Sequence, residues 1–413
     1  MPVTKSVIIR KQECIDPVRI PLPSSKSESN RALIINSFAG GELHNLAEAR
    51  DTQTMMRLLD SSHKELDVID AGTTMRFLLA YCALTNQRKI LTGTPRMGER
   101  PIGILVDALR EIGAEIDYLE KDGFPPLETI RFSHQKKHEI SMRGDISSQY
   151  ISAIMMVAPT LSNGLTITLE GKVASKPYIL MTMELMNQFG AGATFDEDNK
   201  IIIKPSQYQP KSFSVESDWS GASYWFGIVA LAQKAEILLL GLKSDSLQGD
   251  SKIMEIMQFL GVKSEFTPTG LLLTKQNSES KFTYDFSNCP DLAQTVAVVC
   301  AAKGIQAEFT GLESLRIKET DRILALQNEL AKIGATLQEK GSKWTLIPAM
   351  NLKSKKDTIS IETYDDHRMA MAFAPLAALM DLEIRNPSVV DKSYPSFWNH
   401  MKLAGFEMEV ASH

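Results

Sequence analysis

One pattern recurs along this chain and restricts what it can fold into. An apolar stretch with helical period ends in glycine, and a short alternating strand, a polar turn and a second strand follow. LVDALREIGAEIDYL, LMNQFGAGATF, IMQFLGVKSEF, LQNELAKIGATL and MKLAGFEMEV put the glycine at 113, 190, 261, 334 and 405, at intervals of 77, 71, 73 and 71 residues. Glycine belongs just past a helix end, where the backbone turns left-handed. The change from period 3.6 to period 2 marks helix passing into strand. Many α/β proteins end one helix this way, but a regular spacing requires a repeated unit. An earlier copy, TMMRLLDSSHKELDVIDAGT, ends its helix near Asp60 or Ser61, so about 20 residues are missing before Gly113. That is enough for roughly two strands and their turn. Six α/β units, the first shortened, predict two halves of three. The polar stretch KPSQYQPKSFSVESD, residues 204–218, carries the expected boundary, because Pro205 and Pro210 break regular structure.

Composition excludes several classes. Lys plus Arg number 45 against 50 Asp plus Glu, a net charge of −5 that argues against a protein built to coat nucleic acid. With 43% hydrophobic and 23% charged residues the chain is globular, not disordered. No apolar run approaches the roughly 18 residues that span a bilayer, and the opening MPVTKSVIIRKQECID turns polar too early for a secretion signal. Cys14, Cys82, Cys289 and Cys300 form no CxxC pair and no metal-ligand spacing, which predicts a reducing cytoplasm and no metal.

Five expected helix starts share an unusual composition. PSSKSESNRALII places Lys26, Ser27 and Arg31 there, AGTTMRFLLA places Gly72, Thr73 and Arg76, and GDISSQYISAIMM places Ser147, Ser148 and Gln149. RIKETDRILAL supplies Lys318, Glu319, Asp321 and Arg322, and YDDHRMAMAFA supplies Asp366, His367 and Arg368. Free N–H groups and the helix dipole already make a helix start positive. An arginine in the first turn is locally unfavourable by about 0.3–1 kcal/mol. Four repetitions of that choice ask for a compensating negative ligand. A single Ser or Thr would be only a cap, and a single Arg would be a surface group beside a carboxylate. Together they predict a site between the two halves that binds phosphate or carboxylate groups. The common nucleotide route is absent. GAGA at 190–193 follows a helix where a dinucleotide fingerprint must follow a strand, and no GxxxxGK[ST] loop occurs.

The segments PSSKSESNR, DAGTTMR, LTGTPRMGERPI, SSQY, SKPY, RIKETDR, YDDHRMAM and VDKSYP agree in order and spacing with one family, from about Leu22 to Pro395. On these residues the chain resembles the 5-enolpyruvylshikimate-3-phosphate synthases, of the enolpyruvyl transferases. The resemblance implies an α/β fold, an inside-out α/β barrel of two similar domains built from βαβαββ repeats. These would be residues 20–216 and residues 1–19 plus 217–413, with the active site in the cleft between them. It implies transfer of the enolpyruvyl group of phosphoenolpyruvate to the 5-hydroxyl of shikimate 3-phosphate, with release of phosphate. No cofactor and no metal are expected, and the partners would be those two small molecules alone, with no nucleic acid, no membrane and a monomeric state. Carried over by motif, Lys26 touches both substrates. Ser27, Arg31, Ser147, Ser148, Ser175, Tyr178, Asp291 and Lys318 serve shikimate 3-phosphate, and Gln149 lies between the two ligands. Gly72, Arg100, Arg322, Arg368 and Lys392 surround the phosphate and carboxylate of phosphoenolpyruvate, while Arg96 is structural.

Such a reaction needs a base for the hydroxyl, an acid for the methylene carbon and cations for the departing phosphate. Asp291 and Glu319 are the acid–base candidates, assisted by Lys26. Glu319 lies between Lys318 and Arg322, which favours its charged form unless it is desolvated. His367 reads as a bystander orienting Arg368, and Asp365 with Asp366 lacks the companions of a metal pair. The chain departs from the family pattern at Asp70 (usually Asn), Phe77 (often Pro), Ser314 (usually Asn) and the shortened first unit. Gly72 leaves the phosphoenolpyruvate side without a side chain, so the analogue glyphosate is expected to fit and compete. The related UDP-N-acetylglucosamine enolpyruvyl transferases use a loop cysteine that none of the four cysteines here matches. A non-catalytic anion binder of the same fold is the remaining alternative.

Overall fold

The computed structural model describes residues 5–348 and 358–412. The opening MPVT, part of the stretch considered above as a possible secretion signal, lies outside the described residues. Two compact units emerge, one of residues 1–23 and 216–413 and one of residues 24–215. The first unit opens with β1 (Lys5–Ile9) and β2 (Cys14–Pro21). The chain then builds the second unit through α1 (Lys26–Ala39), β3 (Glu42–His44), α2 (Arg50–Leu59), β4 (Glu65–Asp67), α3 (Gly72–Leu84), β5 (Lys89–Thr92), α4 (Pro95–Gly98) and α5 (Gly103–Ile112). It continues with β6 (Ala114–Tyr118), β7 (Leu127–Phe132), β8 (Glu139–Arg143), α6 (Ser148–Val157), β9 (Leu165–Glu170), α7 (Lys176–Gln188), β10 (Ala193–Phe195), β11 (Lys200–Ile203) and β12 (Ser212–Ser214). The first unit resumes with α8 (Trp219–Leu231), β13 (Lys234–Leu240), α9 (Ile253–Phe259), β14 (Val262–Thr267), β15 (Gly270–Lys275), β16 (Lys281–Asp285), α10 (Ala293–Lys303) and β17 (Gln306–Thr310). It ends with α11 (Arg322–Lys332), β18 (Thr336–Lys340), β19 (Lys343–Ile347), β20 (Ile359–Ile361), α12 (His367–Phe373), β21 (Leu382–Arg385), α13 (Phe397–Leu403) and β22 (Met408–Ser412).

Among the described residues five four-stranded sheets share one order, a parallel pair followed by an antiparallel hairpin. They are β4-β5-β7-β6 and β8-β9-β11-β10 in residues 24–215, and β2-β13-β15-β14, β16-β17-β19-β18 and β20-β21-β1-β22 in the other unit. The sixth sheet is the parallel pair β12-β3 alone. The residues missing from the first repeat are therefore the hairpin, which explains why the deficit matched two strands and a turn. Two sheets take strands from far along the chain. β12 pairs with β3, and β1 fills the hairpin position beside β22 and β21.

All five repeat glycines have positive φ: Gly113 +129°, Gly190 +90°, Gly261 +99°, Gly334 +84° and Gly405 +93°. Each stands at or just past a helix end and ahead of the edge strand of its sheet. The helices of each unit pack on one another, α3 with α6 and α6 with α7, and α8 with α10 and α10 with α12. In α8 every residue from Trp219 to Leu231 is buried, the mark of a helix surrounded by protein on all sides. Each large apolar side chain so buried contributes roughly 1.5–3 kcal/mol. Gly227 is what lets α8 approach its neighbour, because a Cβ there would lie 3.0 Å from Pro375 Cγ. No helix among the described residues is long and apolar enough to cross a membrane.

Candidate active site

In residues 24–215 the chemistry-bearing side chains cluster at helix starts, and capping decides which starts are open. Ser25 caps α1 by accepting from Glu28 N–H, and Ser147 caps α6 by accepting from Gln149 N–H. The residue ahead of α3, Ala71, provides no side-chain cap, and neither does Ser175 ahead of α7, where φ is +53°. Lys26 Nζ lies 3.0 Å from Asp51 Oδ2, and the pair is mostly buried. Gln149 Nε2 donates to Thr73 Oγ1 at 3.1 Å, tying the start of α6 to that of α3. A Cβ built on Gly72 would lie 2.4 Å from Arg100 Nη1 and 2.6 Å from Arg76 Nη1. Two guanidinium groups thus crowd the open start of α3, and glycine is what admits them. The Nε–H of Arg76 is buried without a hydrogen-bond partner, its Nη1 donates to Gly72 O at 2.8 Å, and its guanidinium lies over the Tyr150 ring.

Arg31 is almost wholly buried. Its donors reach Thr182 Oγ1 at 2.7 Å, Ser27 O at 2.9 Å and Ser152 Oγ at 3.2 Å, and Phe77 and Tyr178 flank its guanidinium. Burial pulls its pKa down to about 10, against partial support from Tyr178 and Glu28. Phe77, one of the departures from the family pattern, serves as a lid on this arginine. Asp70, another departure, pairs with Arg50 at 3.0 Å.

The other unit carries a dense charge cluster. Asp366 is fully buried and accepts from Arg322 Nε at 2.6 Å and Nη2 at 3.3 Å, while capping α12 through Arg368 N–H at 2.8 Å. Arg322 also donates to Asp291 Oδ1 at 3.0 Å and Glu319 Oε2 at 2.7 Å. Arg368 Nη2 reaches Asp291 Oδ2 at 2.9 Å and Ser220 Oγ at 3.4 Å, and its Nη1 reaches Tyr224 Oη at 3.3 Å. Lys392 Nζ approaches Glu319 Oε1 at 3.8 Å. Burial pushes the Asp291 carboxyl up, but Arg368, Lys318 and Arg322 together hold it well below the usual carboxylate range. Burial lowers the Lys318 ammonium, with Asp291 opposing. Burial also works against the Arg322 cation, yet Asp366, Glu319 and Asp291 outweigh it and hold its pKa above the ordinary value.

The helix starts match the reading of the sequence at Lys26, Gly72, Ser148, Arg322 and His367. Two of the four arginines do not sit where expected. Arg322 and Arg368 lie in first turns, whereas Arg31 and Arg76 lie one turn further in and reach back to the Ser27 and Gly72 carbonyls. The compensation expected from a ligand is supplied in part by the protein, since Arg322 is ringed by Asp291, Glu319 and Asp366. The Asp366 carboxylate holds Arg322, and no group of three metal-ligating side chains occurs among the described residues. Sequence reasoning missed Asp51 and Asp250. Asp250 is buried and receives the Ser220 hydroxyl, and burial together with the Asp291 charge pushes its carboxyl up to about 7. No spacing rule marks a lone acid such as the one in LQGD.

A repeated βαβαββ build with cationic and acidic side chains gathered at helix starts defines an α/β fold of the enolpyruvyl transferase type. The family model described as EPSP synthase (3-phosphoshikimate 1-carboxyvinyltransferase) matches residues 57–401. A 3-phosphoshikimate 1-carboxyvinyltransferase of Bacteroides fragilis (strain YCH46) is 47% identical over 395 residues, covering 95% of this chain and 96% of that protein. One of Vibrio atlanticus (strain LGP32) is 35% identical, covering 93% of this chain and 96% of its own length. The solved EPSP synthase of Acinetobacter baumannii superposes with a TM-score of 0.79 at 19% identity, over 98% of this chain and 100% of that one, a likeness of fold. The chain belongs to the EPSP synthase family.

Proposed function

We propose that this protein transfers the enolpyruvyl group of phosphoenolpyruvate to the 5-hydroxyl of shikimate 3-phosphate and releases inorganic phosphate. The observation that carries this reading is the arrangement around Arg322, where one guanidinium touches Asp291, Glu319 and Asp366 and a second, Arg368, shares Asp291. Cations so held are preorganised for a phosphate and a carboxylate, and Asp291, kept ionised by them, is fixed in the form that can accept a proton. Arg322, Arg368 and Lys392 then take the anionic groups of phosphoenolpyruvate, together with Gly72 and Arg100 from residues 24–215. Lys26, Ser27, Arg31, Ser147, Ser148, Ser175, Tyr178, Asp291 and Lys318 serve shikimate 3-phosphate, and Gln149 serves both substrates. Hydrogen bonds to Ser27, Ser152 and Thr182 fix the Arg31 guanidinium on that side of the site.

The 5-hydroxyl gives up its proton to a base as its oxygen joins C2 of phosphoenolpyruvate, and an acid delivers a proton to C3. Loss of a C3 proton and of phosphate then restores the double bond. Asp291 and Glu319 exchange these protons, assisted by Lys26, and the cations stabilise the leaving phosphate. Glyphosate is expected to compete with phosphoenolpyruvate near Gly72, where the missing side chain admits the Arg100 and Arg76 guanidiniums. We further propose a monomeric and cytoplasmic protein; the four cysteines without a disulfide, three of them buried, support the cytoplasmic part of that reading. The test is phosphate release with both substrates and with each alone. Release that requires both is expected, and the absence of any release that depends on both would overturn the reading.

A further inference from the structure

Tyr364 and Asp365, just ahead of α12, have φ of +52° and +54°. Neither is glycine, and a left-handed backbone is costly for a bulky residue, so such a turn persists only where its surroundings hold it. Two anchors do so. Tyr364 Oη donates to Glu329 Oε1 at 2.8 Å and accepts from Asn328 Nδ2 at 3.4 Å. Glu329 is fully buried on α11, and its Oε2 accepts from Glu362 N–H at 3.1 Å and lies 2.7 Å from Lys332 Nζ. On the far side of the turn Asn386 Nδ2 donates to Asp365 Oδ1 at 2.7 Å. The next residue is Asp366, the carboxylate that grips Arg322 and caps the helix carrying Arg368.

We propose that Glu329, Tyr364 and Asn386 are positioning residues, holding the strained turn that sets Asp366 and thereby aiming Arg322 and Arg368. The proposal rests on the phosphoenolpyruvate-binding role given to those two arginines above. Released from its anchors, the turn relaxes toward negative φ. The peptide ahead of Asp366 then rotates, and the carboxylate leaves its contact with Arg322. A misplacement of about 1 Å in such a group can cost roughly a hundredfold in rate.

Two mild substitutions cut one anchor each. Y364F removes only the hydroxyl, and N386G removes the amide, together with the bond it accepts from Ser388 Oγ at 3.0 Å, at a position whose φ of +48° glycine accepts freely. Steady-state kinetics with both substrates, and thermal unfolding, are measured for each variant and for the pair combined. Each single variant is expected to raise KM for phosphoenolpyruvate about fivefold and the double variant about 20-fold. KM for shikimate 3-phosphate should stay within twofold, and Tm within about 3 °C. Unchanged KM for phosphoenolpyruvate in an active background overturns the positioning role, as does an equal rise of both KM values. A wild-type protein without turnover would instead overturn the functional reading, and this proposal with it.

Discussion

Replacing Asp291 with Asn tests the charge cluster most directly, because the substitution preserves shape and removes one charge. Asp291 accepts from Arg322 Nη1 at 3.0 Å and from Arg368 Nη2 at 2.9 Å. An amide keeps one of those acceptors, so the loss is about one charge-assisted bond, on the order of 2 kcal/mol. Arg322 retains Asp366 and Glu319, so the unit should remain folded. The Asp291 pKa is depressed, so its stabilisation is present above the unfolded value near ~3.9 and is lost as pH falls through the folded one. The stability gap between wild type and D291N should therefore be full at neutral pH and close in acid below about pH 4. Turnover should fall about 10²–10⁴-fold if Asp291 moves a proton. Anion binding should move the other way. A phosphate gripped by these arginines would lie roughly 6 Å from the carboxylate, where like charges repel by about 3 kcal/mol at an effective dielectric near 20. After screening, D291N is expected to bind phosphoenolpyruvate about tenfold more tightly by calorimetry. A variant that turns over within tenfold of wild type and binds more weakly would refute both arguments.

Three further outcomes follow from the geometry. The raised Asp250 pKa, about 7, means that the folded state holds a proton the unfolded chain releases above about pH 4, so its contribution is lost as pH rises through that window. D250N should gain stability relative to wild type between pH 5 and pH 8 in urea unfolding, and parallel profiles would count against the buried protonated form. Arg31→Lys loses the planar fork whose three nitrogens reach Thr182, Ser27 and Ser152 and should cost about 2 kcal/mol, or roughly 4–8 °C in the melting of residues 24–215; an unshifted transition would contradict this. Gly72→Ala drives a methyl into the Arg100 and Arg76 guanidiniums. It should raise KM for phosphoenolpyruvate about tenfold with Tm within about 2 °C, and an unchanged KM would show that those groups yield freely.

Sequence alone determined the repeat, because its signals are local. A glycine that must turn left-handed, an apolar face of period 3.6 and an alternating strand are each written within one stretch of chain, and Gly113, Gly190, Gly261, Gly334 and Gly405 all adopt the positive φ this required. The helix starts at Lys26, Gly72, Ser148, Arg322 and His367 were legible for the same reason, and so were the arginines close to them. Tertiary structure alone decided which distant segments meet. The shortened repeat completes its parallel pair only because β12 returns to β3, and the last sheet only because β1 enters it. Asp51 beside Lys26, Asp250 beside Ser220 and Glu329 beneath Tyr364 have no local signature. Capping and periodicity depend on neighbours within a turn or two, whereas burying a carboxylate depends on which cations and hydroxyls the completed fold brings around it, and sequence distance carries no record of that.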